Sequence, residues 1–584
     1  MLAAGAQRAT LGLALLAAAS IGFERLDPSL GITPDLRLTN LRLIVALALA
    51  AWLVGCGLTR RWPRVPPRVA LPAALWLGVL VLSAALAPTY QTQALAFVRD
   101  LAFGIAFGWL VYDVASTPHR QVLMAQALAI SGMGVAVFGL AEAGSMAPVG
   151  EWLAGFRYQA SFGVGELPRI SSTLPHPNVA AMLLGLVVPL QLAWLINSRR
   201  LWTRVVLGLG AIMELATLVL TVSRAGILVS AVVLGAMVLA GVWQRHSMLA
   251  WTSLATGACL AALLGVSLIR QPTALLHLTS ESTQTWYRAN YSTPAEVAAH
   301  PGEEATVAVL LTNTGDRTWS STGVHPFALS YHLDNLDGGS VTYDGPRTPL
   351  PLVLRPGDSV ELQARLIAPQ SPGTYVVEWD GVQEAVSWFS WAGTPLGLTR
   401  LVVTGQPAVG VAGSNIVRTA VPNLVPPPPG RLTQWRIALR MLRNRPLLGV
   451  GPDNFRWVYG DFAGLTTWDT GGHANSLYFE WLADTGLTGL CLYLWLAWRL
   501  LHASLSGLFQ GHAGSLHPPA QFAVWRLALA ASLLTWFLHG LLDYFYEPLP
   551  TNLAFWLVVS LALASTESAR PNDRKLARCA SPLM

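Results

Sequence analysis

Arginine and histidine are the residues in this sequence best placed to do chemistry, and they recur in short glycine- and proline-marked patterns. "RISSTLPHPNVAAMLL" carries Arg169, His176 and Asn178; "TVSRAGILV" carries Arg224; "NRPLLGVGPDNF" is a glycine-rich turn; "GGHANSLYFEWLADTGLTG" carries His473, Asn475 and Glu480. A guanidinium is planar and permanently charged, and its fork of N–H donors matches phosphate oxygens. Arg224 and Arg169 are therefore candidates to hold a phosphate-bearing group; the plainer alternatives are a snorkelling interfacial arginine and a solvated loop charge. An imidazole of ordinary pKa, about 6.5, can take a proton from a hydroxyl near neutrality, help worth about 10²–10⁴ in rate. His473 is the best such base, because Gly471 and Gly472 let the backbone approach a ligand closely. Its plainer alternative is a surface histidine in a glycine-rich loop. Asn475 hydrogen-bonds a ligand or caps the next helix. Glu480 orients His473, lines the cavity or faces the helix dipole. "PHPN" is a Pro-locked helix entry with Asn178 as N-cap, and His176 is a weaker candidate for contact with phosphate.

These patterns sit between long apolar blocks. Hydrophobic residues make up 53% of the chain and charged ones only 12%, against about 25% charged in a soluble domain. The blocks run to roughly 18–24 residues, enough to cross a hydrocarbon core of about 30 Å. Spans are expected at 9–23, 41–58, 70–87, 94–115, 121–143, 178–196, 204–222, 225–243, 249–268, 476–500, 522–541 and 549–566. Basic clusters follow the second span (Arg60, Arg61, Arg64, Arg68), the fourth (Arg120), the sixth (Arg199, Arg200, Arg204) and the eighth (Arg245). Another ends the chain (Arg570, Arg574, Lys575, Arg578). Short basic loops stay in the cytoplasm, and about twelve crossings with both ends inside satisfy every cluster. The expected fold is a polytopic α-helical protein of the inner (plasma) membrane, with all the chemical patterns on its outer face. The pI of about 9.3 reflects arginines in those loops and does not imply a nucleic-acid partner. The four cysteines show neither disulfide nor zinc spacing. Arg8 and "LAAAS" resemble a secretory signal, but an ordinary first helix is the favoured reading. Arg99, beside Asp100 inside a span, is a functional candidate because charge in a membrane is costly; its alternative is a structural pair with a carboxylate of the bundle. Arg157 is a weaker one.

Between the ninth and tenth spans the periodicity changes. "ATVAVLLTNTG", "HPFALSYHLDN", "SVELQARLIAP", "GTYVVEWDG" and "LTRLVV" alternate like strands, punctuated by "NLDGG", "RPGD" and "SPG". About 110 residues with some seven such runs predict an immunoglobulin-like β-sandwich on the outer side, folding by itself as an accessory. The chain divides into an N-terminal membrane domain (1–268), the sandwich (294–404), a segment of linker, amphipathic helix and outer loop (405–475), and C-terminal membrane helices with a tail (476–584). In "RLTQWRIALRMLRNRP", Leu432, Trp435, Leu439 and Leu442 share one face and Arg436, Arg440 and Arg443 another. Such a helix lies in the interface or docks on the protein.

Taken together, the four patterns resemble the O-antigen ligase and polymerase family of lipid-linked glycan transferases, over roughly 160–245 and 430–500. The resemblance implies a GT-C-like membrane fold and a donor glycan on a polyprenyl diphosphate. An acceptor hydroxyl at the outer face, on a lipid, a glycan or a protein, would attack it. It implies that Arg224 and Arg169 hold the leaving diphosphate and that His473 activates the acceptor. Arg99, Arg157, His176, Asn178, Asn475 and Glu480 would contribute to substrate binding. No acidic ligand pair is evident in the outer loops, so neither a metal nor another cofactor is expected. The inserted sandwich departs from the family, whose loop here is shorter and largely helical. A protein O-oligosaccharyltransferase would use the same chemistry. A transporter or lipid flippase competes from another class, but it should carry ionisable residues on several spans, often in inverted repeats.

Overall fold

In the computed structural model, residues 2–27, 30–33, 36–157, 162–280, 283–337, 339–351, 353–405, 428–465, 468–509 and 520–567 are described. Most of the linker "VPNLVPPPPG" and the basic tail from Arg570 onward lie outside them. Every expected span falls on a helix. By length and composition, ten helices among the described residues can cross a membrane, fewer than the expected dozen or so. The two remaining windows differ for physical reasons. Ala70–Ala85 is apolar but only 16 residues long, and Leu477–Phe509 is interrupted at Gly486. The chain is a multi-pass membrane protein.

Two helices form the centre of the bundle. Pro177–Asn197 and Leu549–Glu567 are buried on nearly every face, as befits sequences apolar all round. The Gln91–Val114 helix meets the second through Gly104 and Gly108, spaced four apart. A Cβ at Gly108 would lie 2.9 Å from Trp556 Cβ, so this close approach requires small residues. That packing sets the Asp543–Glu547 turn, just before Leu549, over the end of the bundle that carries the sandwich.

The interruption at Gly486 (φ +66) is filled by another segment. "RPLLGVG" inserts there: Leu487 N–H donates to Pro446 O (2.9 Å), Val450 N–H to Ala483 O (3.1 Å) and Gly451 N–H to Asp484 O (2.8 Å). Backbone groups freed by a broken helix are thus satisfied inside the protein, as burial requires. Gly449 and Gly451 have φ of +64 and +112, which favours glycine. The Asp484 carboxylate then accepts from Asp453 N–H (2.7 Å) and Phe455 N–H (2.8 Å), anchoring the start of the Phe455–Ala463 helix. The glycine pattern expected as a simple turn is a plug.

The Arg431–Asn444 helix docks on the protein. Its buried residues are Gln434, Ile437, Ala438 and Met441, packed with Val450, Phe455, Tyr459, Ala474 and Ala483. Leu432 and Leu439, expected on the apolar face, are exposed. The buried face is therefore rotated from the one expected.

The strands form as the alternation predicts. One sheet runs Ser340–Thr342, Phe327–Asn335, Gly373–Gln383, Gly397–Val403, Glu296–Ala299, with the last pair parallel; the facing sheet runs Ser359–Ile367, Glu304–Asn313, Ala289–Ser292. Trp286, Trp319, Tyr331 and Trp379 fill the core between them. The first strand precedes the expected boundary at 294. Val164, from the loop before Pro177–Asn197, also belongs to this core.

Candidate functional site

At the sandwich end of the bundle lies a cavity of about 710 Å³, lined among others by His176, Asn178, Arg456, His473, Asn475, Asp543, Tyr544 and Glu547. His473 lies in the loop between Phe455–Ala463 and Leu477–Phe509. Its Nδ1 is 2.7 Å from Glu480 Oε1, while Glu480 Oε2 accepts from Ala474 N–H (2.6 Å). A fully buried carboxylate thus fixes the ring and its loop, and it holds Nδ1 as the donor, leaving Nε2 toward the cavity. Nε2 is 3.5 Å from Glu547 Oε2. Burial works against charge on the ring, but Glu480 and then Glu547 outweigh it, and the imidazole pKa lies well above its ordinary value.

Glu547 also accepts from Arg456 (2.9 Å), whose other arm donates to Asp453 (2.6 Å). Burial opposes the Glu547 charge, but His473 and Arg456 hold its pKa below the ordinary value. Burial pushes Asp453 upward. Asp453, His473 and Glu480 bring donor atoms within 4.8 Å of one another, a geometry that could hold a metal ion and that the sequence did not suggest. Glu480 is engaged through both oxygens and one Asp453 oxygen by Arg456, while Asp453 Oδ1 and His473 Nε2 are buried without a hydrogen-bond partner among the described residues.

Behind the Asn178 side of the cavity wall stands a basic group, whose arginines are not among the residues that line the cavity. Arg169 donates to Thr221 O (2.9 Å) and to Asn178 Oδ1 (2.6 Å), and Asn178 Nδ2 donates to Asp543 (2.8 Å). Burial lowers the Arg169 pKa to about 10, which still leaves it charged at neutrality. Arg224 opens the Arg224–Trp243 helix, whose N-cap is Ser223, and donates to His277 O (3.3 Å) and Ser280 O (2.5 Å). Arg431, first residue of its helix, stands near enough to act electrostatically on Arg169, Arg224 and Asp543, and its Nε is buried with no hydrogen-bond partner among the described residues. Burial, followed by the Arg431, Arg169 and His473 charges that oppose it, leaves Asp543 at about 6.

The expected residues thus divide. His473, His176, Asn178 and Asn475 line one cavity; Glu480 stands directly behind His473; Arg169 reaches the cavity wall through Asn178. His176, not Asn178, is the N-cap, accepting Asn178 N–H at Nδ1 (3.1 Å), because the Asn178 side chain is committed to Arg169 and Asp543. Burial takes the His176 pKa down to about 3, so it is neutral at physiological pH. Asn475, at φ +49, donates to Gln434 (2.7 Å). Arg157 is not at the cavity: it pairs with Glu142 (2.7 Å) and donates to Ser172 O. Arg99 pairs with Asp100 (2.9 Å), which Arg42 also grips with both arms (3.0 and 2.8 Å); Arg42, not Arg99, lines the cavity. Sequence reasoning missed Glu547, Asp543, Arg456, Arg431 and Arg42. For the first two a signal existed, since "LLDYFYEPLP" is an acidic, aromatic turn between two apolar spans.

Residues 411–494 match the family model described as O-Antigen ligase. This segment of the chain is similar to that family. The match takes in the docked helix, the plug, His473, Glu480 and Gly486, so the resemblance drawn from the sequence motifs is borne out over this segment. Arg169, Arg224, Glu547 and the sandwich lie outside it. No curated protein matches the sequence. Among solved structures, Pseudomonas fluorescens alkylpurine DNA glycosylase AlkC bound to DNA containing an abasic site analog aligns at 13% identity. That alignment spans 58% of this chain and 98% of the other with a TM-score of 0.14, which carries no argument.

Proposed function

We propose that this protein is a membrane glycosyltransferase that moves a glycan from a polyprenyl diphosphate carrier to an acceptor hydroxyl at the outer face of the inner membrane. The observation that carries this reading is a carboxylate-braced histidine in one cavity, with the Arg169 guanidinium held behind the cavity wall through Asn178. His473 Nε2 takes the acceptor proton, with Glu480 behind the ring to stabilise the imidazolium. Arg169 and Arg224, joined by Arg431, neutralise the diphosphate as the glycosidic bond breaks. The acceptor attacks opposite the diphosphate, so the anomeric centre inverts. The acceptor is a lipid-anchored sugar, a second carrier-linked glycan or a protein hydroxyl, which the same chemistry serves equally.

Reconstituted in liposomes with a polyprenyl-diphosphate-linked glycan, the protein should release polyprenyl diphosphate and extend an acceptor. Release by water alone, with no acceptor product in any of the three classes, would sink the reading. Because this reading assigns the leaving diphosphate to arginines rather than to a carboxylate-held cation, transfer should continue in excess chelator. Loss of transfer that Mg²⁺ restores would move the electrophilic role to Asp453 and Glu480. The arginine-rich loops between the spans support an outward orientation. A reporter fused after Trp202 should read cytoplasmic and one within 300–400 extracytoplasmic; the reverse pattern would place the cavity on the wrong side for this donor.

A further inference from the structure

The arginines of the proposed clamp are like charges drawn together in a partly buried place. Arg224 and Arg431 both act against the Arg169 charge. Before any anion binds, something must hold them at their spacing against that repulsion. Both are tied to the root of the sandwich.

The first tie is a hairpin, Phe162–Val164 paired with Leu167–Arg169. Val164 at its tip is buried in the sandwich core. Gly165 (φ +58) comes so close that a Cβ there would lie 3.0 Å from the Trp286 ring and 3.2 Å from Arg317. Glu166 accepts Arg317 Nη2 at both of its carboxylate oxygens (2.7 and 2.9 Å), and also accepts from Thr273 Oγ1 (2.8 Å) and Gln383 Nε2 (3.3 Å). Arg317 in turn lies over the rings of Trp286 (5.2 Å) and Phe327 (5.3 Å). Arg169 is three residues beyond Glu166. The second tie runs through the chain entering the sandwich. The Ser280 and His277 carbonyls that hold Arg224 are fixed because Ser280 Oγ accepts from Trp286 Nε1 (2.9 Å). Trp286 is itself fully buried, and its carbonyl accepts from Trp319 Nε1 (2.9 Å).

We infer that the inserted sandwich is the mount that sets the spacing of Arg169 and Arg224, with Glu166, Arg317 and Trp286 as positioning residues for binding of the donor diphosphate. This rests on the reading of those arginines as the clamp. It replaces the expectation of a self-contained accessory, since a module whose core includes Val164 cannot be lifted away without releasing the hairpin that ends in Arg169.

The test uses the full-length protein in liposomes. It reads donor KM, acceptor KM and the inhibition constant of inorganic pyrophosphate. Arg317→Met and Glu166→Gln should each raise donor KM and weaken pyrophosphate inhibition, by up to on the order of 10²-fold for a displacement of about 1 Å, with acceptor KM unchanged. The exchanged pair, Glu166→Arg with Arg317→Glu, should recover most of the loss. The double variant Glu166→Gln, Arg317→Met leaves no orphaned charge, so it serves if Arg317→Met alone fails to fold. Normal donor kinetics in folded Glu166→Gln and in that double variant, while Arg169→Ala and Arg224→Ala are impaired, would overturn the mount. Normal pyrophosphate inhibition in Arg169→Ala and Arg224→Ala would overturn the clamp itself. A rise in acceptor KM alone would refute the assignment of the pair to the donor.

Discussion

His473→Ala should lower transfer by about 10²–10⁴ while donor affinity stays near that of the parent protein, because the ring acts on the acceptor. The pH profile makes the sharper statement. A base works in its neutral form, and the Glu480 and Glu547 charges outweigh burial to raise the His473 pKa well above the ordinary value. The rate should therefore climb with pH through a point on the alkaline side of about 6.5. An unperturbed histidine would place that limb near neutrality, which was the expectation from sequence. Glu480→Gln removes the stronger of the two carboxylate supports, so the limb should move to lower pH while the plateau falls, since a less basic imidazole pulls the proton less strongly. A limb that stays in place in folded Glu480→Gln would show that another group titrates. A well-inserted His473→Ala enzyme with normal turnover would end the base assignment.

Arg224→Ala should weaken donor binding and transfer together. Each charge-assisted hydrogen bond lost contributes roughly 1.5–3 kcal/mol, so a loss of about tenfold to 10²-fold is expected. Arg224→Lys should recover part of it, because a point charge cannot reproduce the two-armed fork. Arg169→Lys should behave differently. Burial already brings the guanidinium down to about 10, and a lysine starts from about 10.4. The same burial would bring its pKa toward neutrality. Donor affinity in Arg169→Lys should accordingly persist at low pH and fall as pH rises, whereas Arg224→Lys should show a weaker fall. Donor affinity of Arg169→Lys that is independent of pH between 6 and 9, with the charge lost in Arg169→Ala clearly felt, would contradict the environment described for this side chain; the pH limits are about one to two units either side of neutrality.

Local pattern carried much of this to the level of sequence. Apolar blocks mark helices because a membrane leaves no other way to satisfy the backbone, and the alternation in "ATVAVLLTNTG" or "SVELQARLIAP" marks strands because one face is buried. His473 was legible because its glycines and Glu480 are neighbours in sequence. Glu547 was not, for it reaches His473 only after two further helices return the chain to the same end. Arg431 looked like one more cation on an amphipathic helix, and only the docking of Gln434, Ile437 and Met441 shows that the helix start is turned inward. Arg157 and Arg99 were over-read for the same reason in reverse. Their partners, Glu142 and the shared Asp100, satisfy them away from the cavity, and residue type alone does not reveal a partner in hand.

The plugged interruption at Gly486 also bears on how the protein enters the membrane. A helix with Glu480 and Asp484 in its first turns and a break after them is a poor substrate for insertion, since carboxylates and unsatisfied backbone groups are costly in the membrane. The segment that satisfies the break, residues 446–451, is synthesised first and is already available when Leu477–Phe509 emerges. Gly449 has positive φ, and a Cβ there would run into the Ala483 and Asp484 backbone. Bulky substitutions at that glycine would thus register as a defect of biogenesis, with the final helices misoriented or degraded, before any catalytic step is reached.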